Sequence, residues 1–248
     1  MTDGLAGVRA LITGASRGLG KAITQHFLQS SASVFLTALH EEDLQRCGTE
    51  LLRAYPAGQA AWRAADASDP RAVSTIVDEA RQSMGNIDAL VCNAGIQGPI
   101  GPVDRVEWSD WIRTVEVNLF GTVLFCQAVI PIMRQAGAGR IVAISGGGAT
   151  SPRPGFSAYA ASKTAVVRFI ETLSAELAGA GIEANTVAPG ALNTRMLDET
   201  LAAGPERIGA AAYEAALRQE ATGGASLAAA AELVGFLASN QSRGISGR

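Results

Sequence analysis

The stretch that decides the fold is Val8-Arg9-Ala10-Leu11-Ile12-Thr13-Gly14-Ala15-Ser16-Arg17-Gly18-Leu19-Gly20. An apolar run meets three spaced glycines, and a helical pattern follows over 19–30. Strand, glycine turn and helix are together the context that a dinucleotide-binding turn requires. Gly14 permits the tight turn, Gly18 lets backbone approach a pyrophosphate, and Gly20 lets the helix pack close to the strand. The helix N-terminus then offers free N–H groups and a partial positive charge to phosphates. The spacing is G-x-x-x-G-x-G rather than the usual G-x-G-x-x-G. Glycine turns are common after strands, so this one needs support from the rest of the chain.

That support is regular alternation. Strands are expected near 8–13, 33–38, 60–64, 89–93, 140–145 and 182–187. Helical patterns lie between them near 19–30, 41–55, 70–84, 108–136 and 157–178. Val34-Phe35-Leu36 and Ile141-Val142-Ala143-Ile144 are continuous apolar runs, as parallel strands covered on both faces require. Alternating strands and helices predict an α/β fold, a doubly wound parallel sheet in a single domain over 1–248.

Composition narrows the classes. A chain of 248 residues with 48% apolar content can bury a large core. The net charge is −3, with no basic patch or charge run, which argues against nucleic acid or a membrane surface as partner. Cys47, Cys92 and Cys126 are widely spaced and read as buried thiols of a reducing compartment. No metal-ligand cluster is visible, and His26 and His40 are not ligand-like. The first strand begins almost at once, leaving no room for a signal peptide. No apolar stretch is expected to approach the roughly 18 residues of a membrane helix. A cytoplasmic protein is expected.

A second motif carries chemistry. Ser157-Ala158-Tyr159-Ala160-Ala161-Ser162-Lys163 sets a tyrosine four residues before a lysine on a helical pattern. At that spacing the two side chains share one face. A cation beside a phenol is expected to pull its pKa down from about 10, and such a tyrosine can pass a proton to or from a substrate oxygen. Lys163 is one of two lysines beside 18 arginines, and Tyr159 is one of three tyrosines. Alone, the pair also fits an amphipathic helix with a packed Tyr and a solvated Lys.

Ligands of such sheets bind beyond the carboxyl ends of the strands. Asn93-Ala94-Gly95, Ser145-Gly146-Gly147-Gly148 and Pro189-Gly190 all fall there, with Thr194 shortly after. Small residues at these points let backbone approach a flat ligand. Asn118 sits in a long helical pattern where Asn is a mediocre former, and Val115, Val117, Leu119 and Val123 around it argue for burial. Asp66 has a second reading as a loop cap before Asp69-Pro70.

Taken in order, Thr13-Gly14-x-x-x-Gly18-x-Gly20, Asp66, Asn93-Ala94-Gly95, Asn118, Ser145, Tyr159-x-x-x-Lys163 and Pro189-Gly190 resemble the short-chain dehydrogenase/reductase family across nearly the whole chain. The resemblance implies a Rossmann-type fold with strand order 3-2-1-4-5-6-7. It implies NAD(P)-dependent interconversion of an alcohol and a carbonyl. Tyr159 would be the general acid or base, and Lys163 would lower its pKa and bond the nicotinamide ribose. Ser145 would hold the substrate oxygen, and Asn118 would hold a water in a relay to Lys163. The implied cofactor contacts begin in the first turn with Gly14, Ser16, Arg17, Gly18, Leu19 and Gly20. They continue with Asp66 at the adenine, Asn93, Ala94 and Gly95 lining the cleft, Tyr159 and Lys163, then Pro189, Gly190 and Thr194, the last at the carboxamide.

Cofactor choice turns on the end of the second strand. NAD users place an acid there, and this chain has Ala38 followed by Leu39. Arg17 suits a 2′-phosphate, whereas Glu41 and Glu42 oppose one, and NADP(H) is favoured. Residues from about 191 to 224 are expected to form a substrate lid. Its Asp198, Glu199, Glu206 and Glu214 suit a polyhydroxy or amino-sugar ligand, and the 190–199 segment resembles family members of bacterial sugar metabolism. A 3-oxoacyl-carrier-protein reductase is the alternative, with Arg105, Arg113 and Arg153 as a docking face. A non-catalytic nucleotide sensor is a further alternative, disfavoured by the full Ser/Tyr/Lys/Asn set. Relatives continue past 242–247 into one more strand, so the edge of the sixth strand is expected to be less covered here. Self-association is expected through the 108–136 and 157–178 helices, with Gly121, Ala128, Ala165 and Phe169 permitting close approach. That gives a dimer, with the family tetramer weakened.

Overall fold

A computed structural model describes residues 4–248. Six strands, β1 (Arg9–Thr13), β2 (Ser33–Ala38), β3 (Gln59–Ala64), β4 (Ala89–Cys92), β5 (Gly139–Ile144) and β6 (Ile182–Val187), form one sheet. They are all parallel, in the order β3-β2-β1-β4-β5-β6. The order reverses between β1 and β4, the crevice where such sheets bind ligands. Each expected strand is present, with ends within one residue of the sequence reading.

The sheet is buried on both faces, and successive residues show it. Ala10 and Ile12 of β1 join one core cluster, and Leu11 between them joins the other. Likewise Ala89 and Val91 of β4 face one way, Leu90 and Cys92 the other. On the first face pack α1 (Gly18–Gln29) and α2 (Glu41–Ala54), through Ile23, Phe27 and Leu44. On the second pack α3 (Pro70–Met84) and a long helix over residues 108–136, through Ile76, Phe125 and Met133. Start and stop signals are local. Asp69 caps α3 by accepting from the Arg71 N–H, with Pro70 in its first turn.

The long helix is not uniform. It runs as α4 (Trp108–Val115), a π segment (Glu116–Phe120) and α5 (Gly121–Ala136), ending at Gly137 in the left-handed conformation. Asn118 lies within the π segment, the kind of interruption that marks functional positions. This helix corrects one expectation. Within Trp108–Ala136 an 18-residue window has a mean hydropathy of 1.7, so the helix is long and apolar enough to cross a membrane, by length and composition alone. Polar residues such as Glu116, Asn118 and Gln127 interrupt its apolar sequence. Its Phe125, Cys126, Val129 and Met133 are core residues of the second face.

Beyond β5 come α6 (Ser157–Glu176), β6 and a helical excursion: α7 (Arg195–Ala203), α8 (Pro205–Ile208) and α9 (Ala210–Thr222). The excursion is clipped at its base, where the Ala225 N–H donates to Ala191 O at 2.8 Å and Leu192 bridges to Gly224. The last helix, α10 (Leu227–Leu237), returns to α1 and contributes Ala230, Ala231 and Val234 to the first face. The edge of β6 departs from expectation, because the following residues cover it. Gly247 N–H donates to Ala184 O at 2.8 Å, and Thr186 N–H donates to Arg248 O at 2.6 Å. Residues 246–248 therefore take the edge groups that a seventh strand would take.

Candidate active site

The site is built at the carboxyl end of the sheet. At its first end, Thr13 closes β1, and its Oγ1 accepts from the N–H groups of Asn93 (3.0 Å) and Ala94 (2.9 Å). The Asn93 side chain answers, donating to Thr13 O (3.1 Å) and Gly14 O (3.0 Å). The amide of Asn93 thereby locks the glycine turn onto β4, at the sheet edge where the cleft is expected. Gly14 (φ 63°) and Gly18 (φ 52°) adopt the left-handed conformation that glycine tolerates. Gly20 has a different reason, since a Cβ there would stand 2.2 Å from Gly14 O.

These features fit a dinucleotide. The turn is glycine-lined, the first turn of α1 carries no acid, and no side chain caps its N–H groups. Arg17 stands exposed at the head of α1, beside half-buried Ser16 and buried Leu19. Across the turn lies Thr194, whose Cγ2 is 3.5 Å from the Cβ position of Gly18. Pro189 and Gly190 follow β6 on the same edge, Gly190 with φ 82°. Asp66 is less free than the adenine role implies. It accepts from Ser68 N–H (2.9 Å) and Ser68 Oγ (2.7 Å) and pairs with Arg113. An ionised carboxylate can accept about four bonds, so the loop-cap reading accounts for most of its capacity.

At the other end, four expected residues converge. Lys163 and Tyr159 share one face of α6 and are 4% and 6% exposed. The Lys163 ammonium donates to Ile144 O at 2.8 Å, the residue before Ser145. The Tyr159 hydroxyl packs on Gly146, the residue after Ser145, where a Cβ would come within 2.3 Å of it. Ser145 itself is buried, its N–H bonded to Val187 O at 2.9 Å. Gly95 joins the remaining pair, since a Cβ there would lie 3.2 Å from Asn118 Oδ1 and 3.4 Å from Lys163 Nζ. Asn118 is fully buried. It accepts from Ile96 N–H (2.8 Å) and donates to Ile96 O (2.9 Å) and Ser162 Oγ (3.0 Å). Both of its amide hydrogens hold structure, fixing the loop after β4.

The electrostatics differ from expectation in one respect. Burial raises the Tyr159 phenol above its usual value, and the cation opposing that rise is Arg153. Lys163 was expected to be that cation. Instead its ammonium is turned to Ile144 O and sits 5.9 Å from the ring centroid. Burial also pulls Lys163 down to about 8. A protonated phenol beside a serine at the sheet edge can deliver a proton to a developing alkoxide.

Beyond Tyr159 the walls are apolar. Phe156, Tyr159 and Ile208 form a small buried cluster, with Ile100, Met196 and Tyr213 packed against it. The acids of the 191–224 segment lie elsewhere: Asp198, Glu206 and Glu214 are exposed, and Glu199 pairs with Arg195 at 2.9 Å. The three arginines of the expected docking face are also dispersed. Arg113 is tied to Asp66 and Ser68, Arg105 ends a short 3₁₀ turn, and Arg153 lies over the Phe156 ring. Thr13, Gly146, Ser162 and Arg153 contribute here in ways that the sequence did not assign. Thr13 stood in the first motif, Gly146 was one of three glycines after a strand, Ser162 fell within the Tyr159–Lys163 motif, and Arg153 entered only as part of the alternative docking face.

A doubly wound parallel sheet with a glycine turn at its switch point and Ser, Tyr and Lys converging beside it defines a nicotinamide-dependent oxidoreductase. The family model for short chain dehydrogenase matches residues 9–204. The chain belongs to the short-chain dehydrogenase/reductase family, whose members bind NAD(P) and act on alcohol and carbonyl groups. It is 32% identical over 194 residues to a 2-dehydro-3-deoxy-L-rhamnonate dehydrogenase (NAD(+)) of Sphingomonas sp., covering 78% of this chain and 76% of that one. It is 36% identical over 195 residues to D-threitol dehydrogenase of Mycolicibacterium smegmatis, covering 77% and 73%. The crystal structure of levodione reductase superposes with a TM-score of 0.88 at 29% identity, covering 96% of this chain and 93% of that one.

Proposed function

We propose that this protein reduces a carbonyl to a secondary alcohol with NADP(H), on a small polar, sugar-like substrate. The observation that carries the reductive direction is the Tyr159 hydroxyl, buried against Gly146 beside Ser145 and held in its protonated form by that burial. The cofactor, when bound, supplies the hydride. The chain's own residues manage one oxygen and one proton. Ser145 holds the substrate oxygen, Tyr159 gives it the proton, and Lys163 restores charge balance and orients the ribose. Asn118 keeps the loop at Gly95 in place next to Lys163, and a water relay to Lys163 passes along that side.

Preference for NADP(H) is supported by the end of β2, where buried Ala38 precedes exposed Leu39, and by exposed Arg17 at the head of α1. A polyhydroxy substrate is supported by the named substrates of the two relatives, a rhamnonate derivative and threitol. Residues 191–224, hinged where Ala191 meets Ala225, serve as the lid. We also propose a homodimer through the 108–136 and 157–178 helices. Exposed Trp108 and Phe120 support it. Gly121 does not contribute as first expected, because it packs against Ala67 O within the chain. The test is consumption of NADPH against NADH with sugars, sugar acids and aminoglycosides on one side and acetoacetyl thioesters on the other. Turnover of thioesters alone refutes the substrate reading, and absence of turnover with every carbonyl refutes the reaction.

A further inference from the structure

Arg153 stands in the loop between β5 and α6, just outside the set of residues assigned above. Its guanidinium lies 3.8 Å above the Phe156 ring and 5.5 Å from the Tyr159 ring centroid. Its Cβ is 3.3 Å from the Cβ position of Gly148, which fixes its stem against the glycine loop after β5. It is only partly exposed, and among the described residues its guanidinium has no ion pair and no hydrogen bond. Most of the other arginines bind within the chain, as Arg9 does to Asp88, Arg63 to Glu79, Arg113 to Asp66 and Arg140 to Glu183. A guanidinium presents five donors in a rigid fork and keeps its charge at any working pH. Half-burying it with no donor answered within the chain is unfavourable, and aromatic stacking offsets only part of that cost.

The surroundings say where the missing partner belongs. Arg153 is on the substrate side, next to the cluster of Phe156, Tyr159 and Ile208 that receives Ile100, Met196 and Tyr213. Among the described residues the contacts of Arg153 are with Phe156, Tyr159 and the Gly148 loop, and none joins it to the glycine turn at Gly14 and Gly18, where a cofactor's phosphates are expected. The acids of 191–224 face solvent or pair elsewhere. What remains is the substrate. We propose that Arg153 is a specificity residue that binds an anionic group, a carboxylate or its sulfonate or phosphate counterpart, a few bonds from the reacting carbonyl. This deepens the proposed reaction and rests on it for the position of the carbonyl. An anion here also excludes water from the guanidinium fork and fixes which face of the carbonyl meets Tyr159.

The test uses a matched pair of probes, acetoacetate and methyl acetoacetate, which share one ketone and differ by one charge. For the wild type, kcat/KM for the acid is expected to exceed that for the ester. In Arg153→Met, which keeps the stem, the acid-to-ester ratio falls about tenfold or more, as loss of a charge-assisted bond predicts. Arg153→Lys recovers part of the ratio. The ratio cancels any general effect of losing a cation beside Tyr159, so an unmoved ratio overturns the proposal. Calorimetry on the NADPH complex of Tyr159→Phe gives a readout without turnover. There the acid must bind more tightly than the ester, and only while Arg153 is present; equal binding overturns the proposal. Arg153-dependent binding of acetoacetate by a protein that turns over no carbonyl at all refutes the reaction and leaves the anion site standing.

Discussion

The Tyr159 hydroxyl lies against the backbone of Gly146 so closely that a Cβ on Gly146 would stand 2.3 Å from it. Gly146 therefore sets the position of the phenol relative to Ser145. Gly146→Ala is expected to push Tyr159 aside and lower kcat by about 10² or more, since a shift near 1 Å has that effect on a positioned group. Cofactor affinity should change little. Steady-state kinetics with a fluorescence titration of NADPH checks it, and an active Gly146→Ala enzyme refutes the close packing.

If Tyr159 is the proton donor, Tyr159→Phe keeps the ring and removes the proton. Turnover should fall by about 10² or more with folding and NADPH binding retained. Ser145→Ala should act mainly on kcat too. Near-normal turnover in Tyr159→Phe would remove the tyrosine from the mechanism.

Lys163 gives a stability prediction of definite sign. Its folded pKa is about 8, below the ordinary 10.5, because of burial. Between those values the unfolded chain binds more protons than the folded one, so this group makes stability rise with pH across that window. The stability of the wild type relative to Lys163→Met should increase from pH 8 to 10 by at most about 1.4 kcal/mol per pH unit. Denaturant unfolding of both proteins across this range decides the matter, and parallel curves would show that the ammonium is not buried.

Arg17 is exposed at the head of α1 with extended backbone (φ −158°, ψ 176°). If it meets a 2′-phosphate, Arg17→Ala should weaken NADPH binding about tenfold or more while sparing NADH. Equal losses for both cofactors would mean that Arg17 only shapes the turn.

Much of this could be read before any coordinates. Gly14, Gly18 and Gly20 stand within seven residues, and strand, turn and helix are properties of local backbone, so their roles followed from spacing. Tyr159 and Lys163 lie one helical turn apart, so a shared face was legible in the same way. The strands were legible because burial on both faces leaves continuous apolar runs.

What local pattern cannot carry is which groups meet across the sheet and how much water they keep. The Asn93 amide reaches back 79 residues to Gly14 O, a partner that its place after β4 does not reveal. Asp66 was given to the adenine, yet it pairs with Arg113, 47 residues away. The Tyr159 phenol is expected to shift down and instead shifts up, because burial outweighs the opposing cation, which is Arg153 and not the lysine four residues on. Arg153 showed no motif at all. It became informative only when the fold set it beside Phe156 and Tyr159 with no acid to answer it. By itself the sequence determined the sheet, the glycine turn and the shared helical face of Tyr159 and Lys163, since each is written in short-range periodicity and spacing. Only the tertiary structure decided the hydrogen-bond partners, the direction of the tyrosine's pKa and the unpaired cation, because each depends on distance and desolvation between residues far apart in the chain.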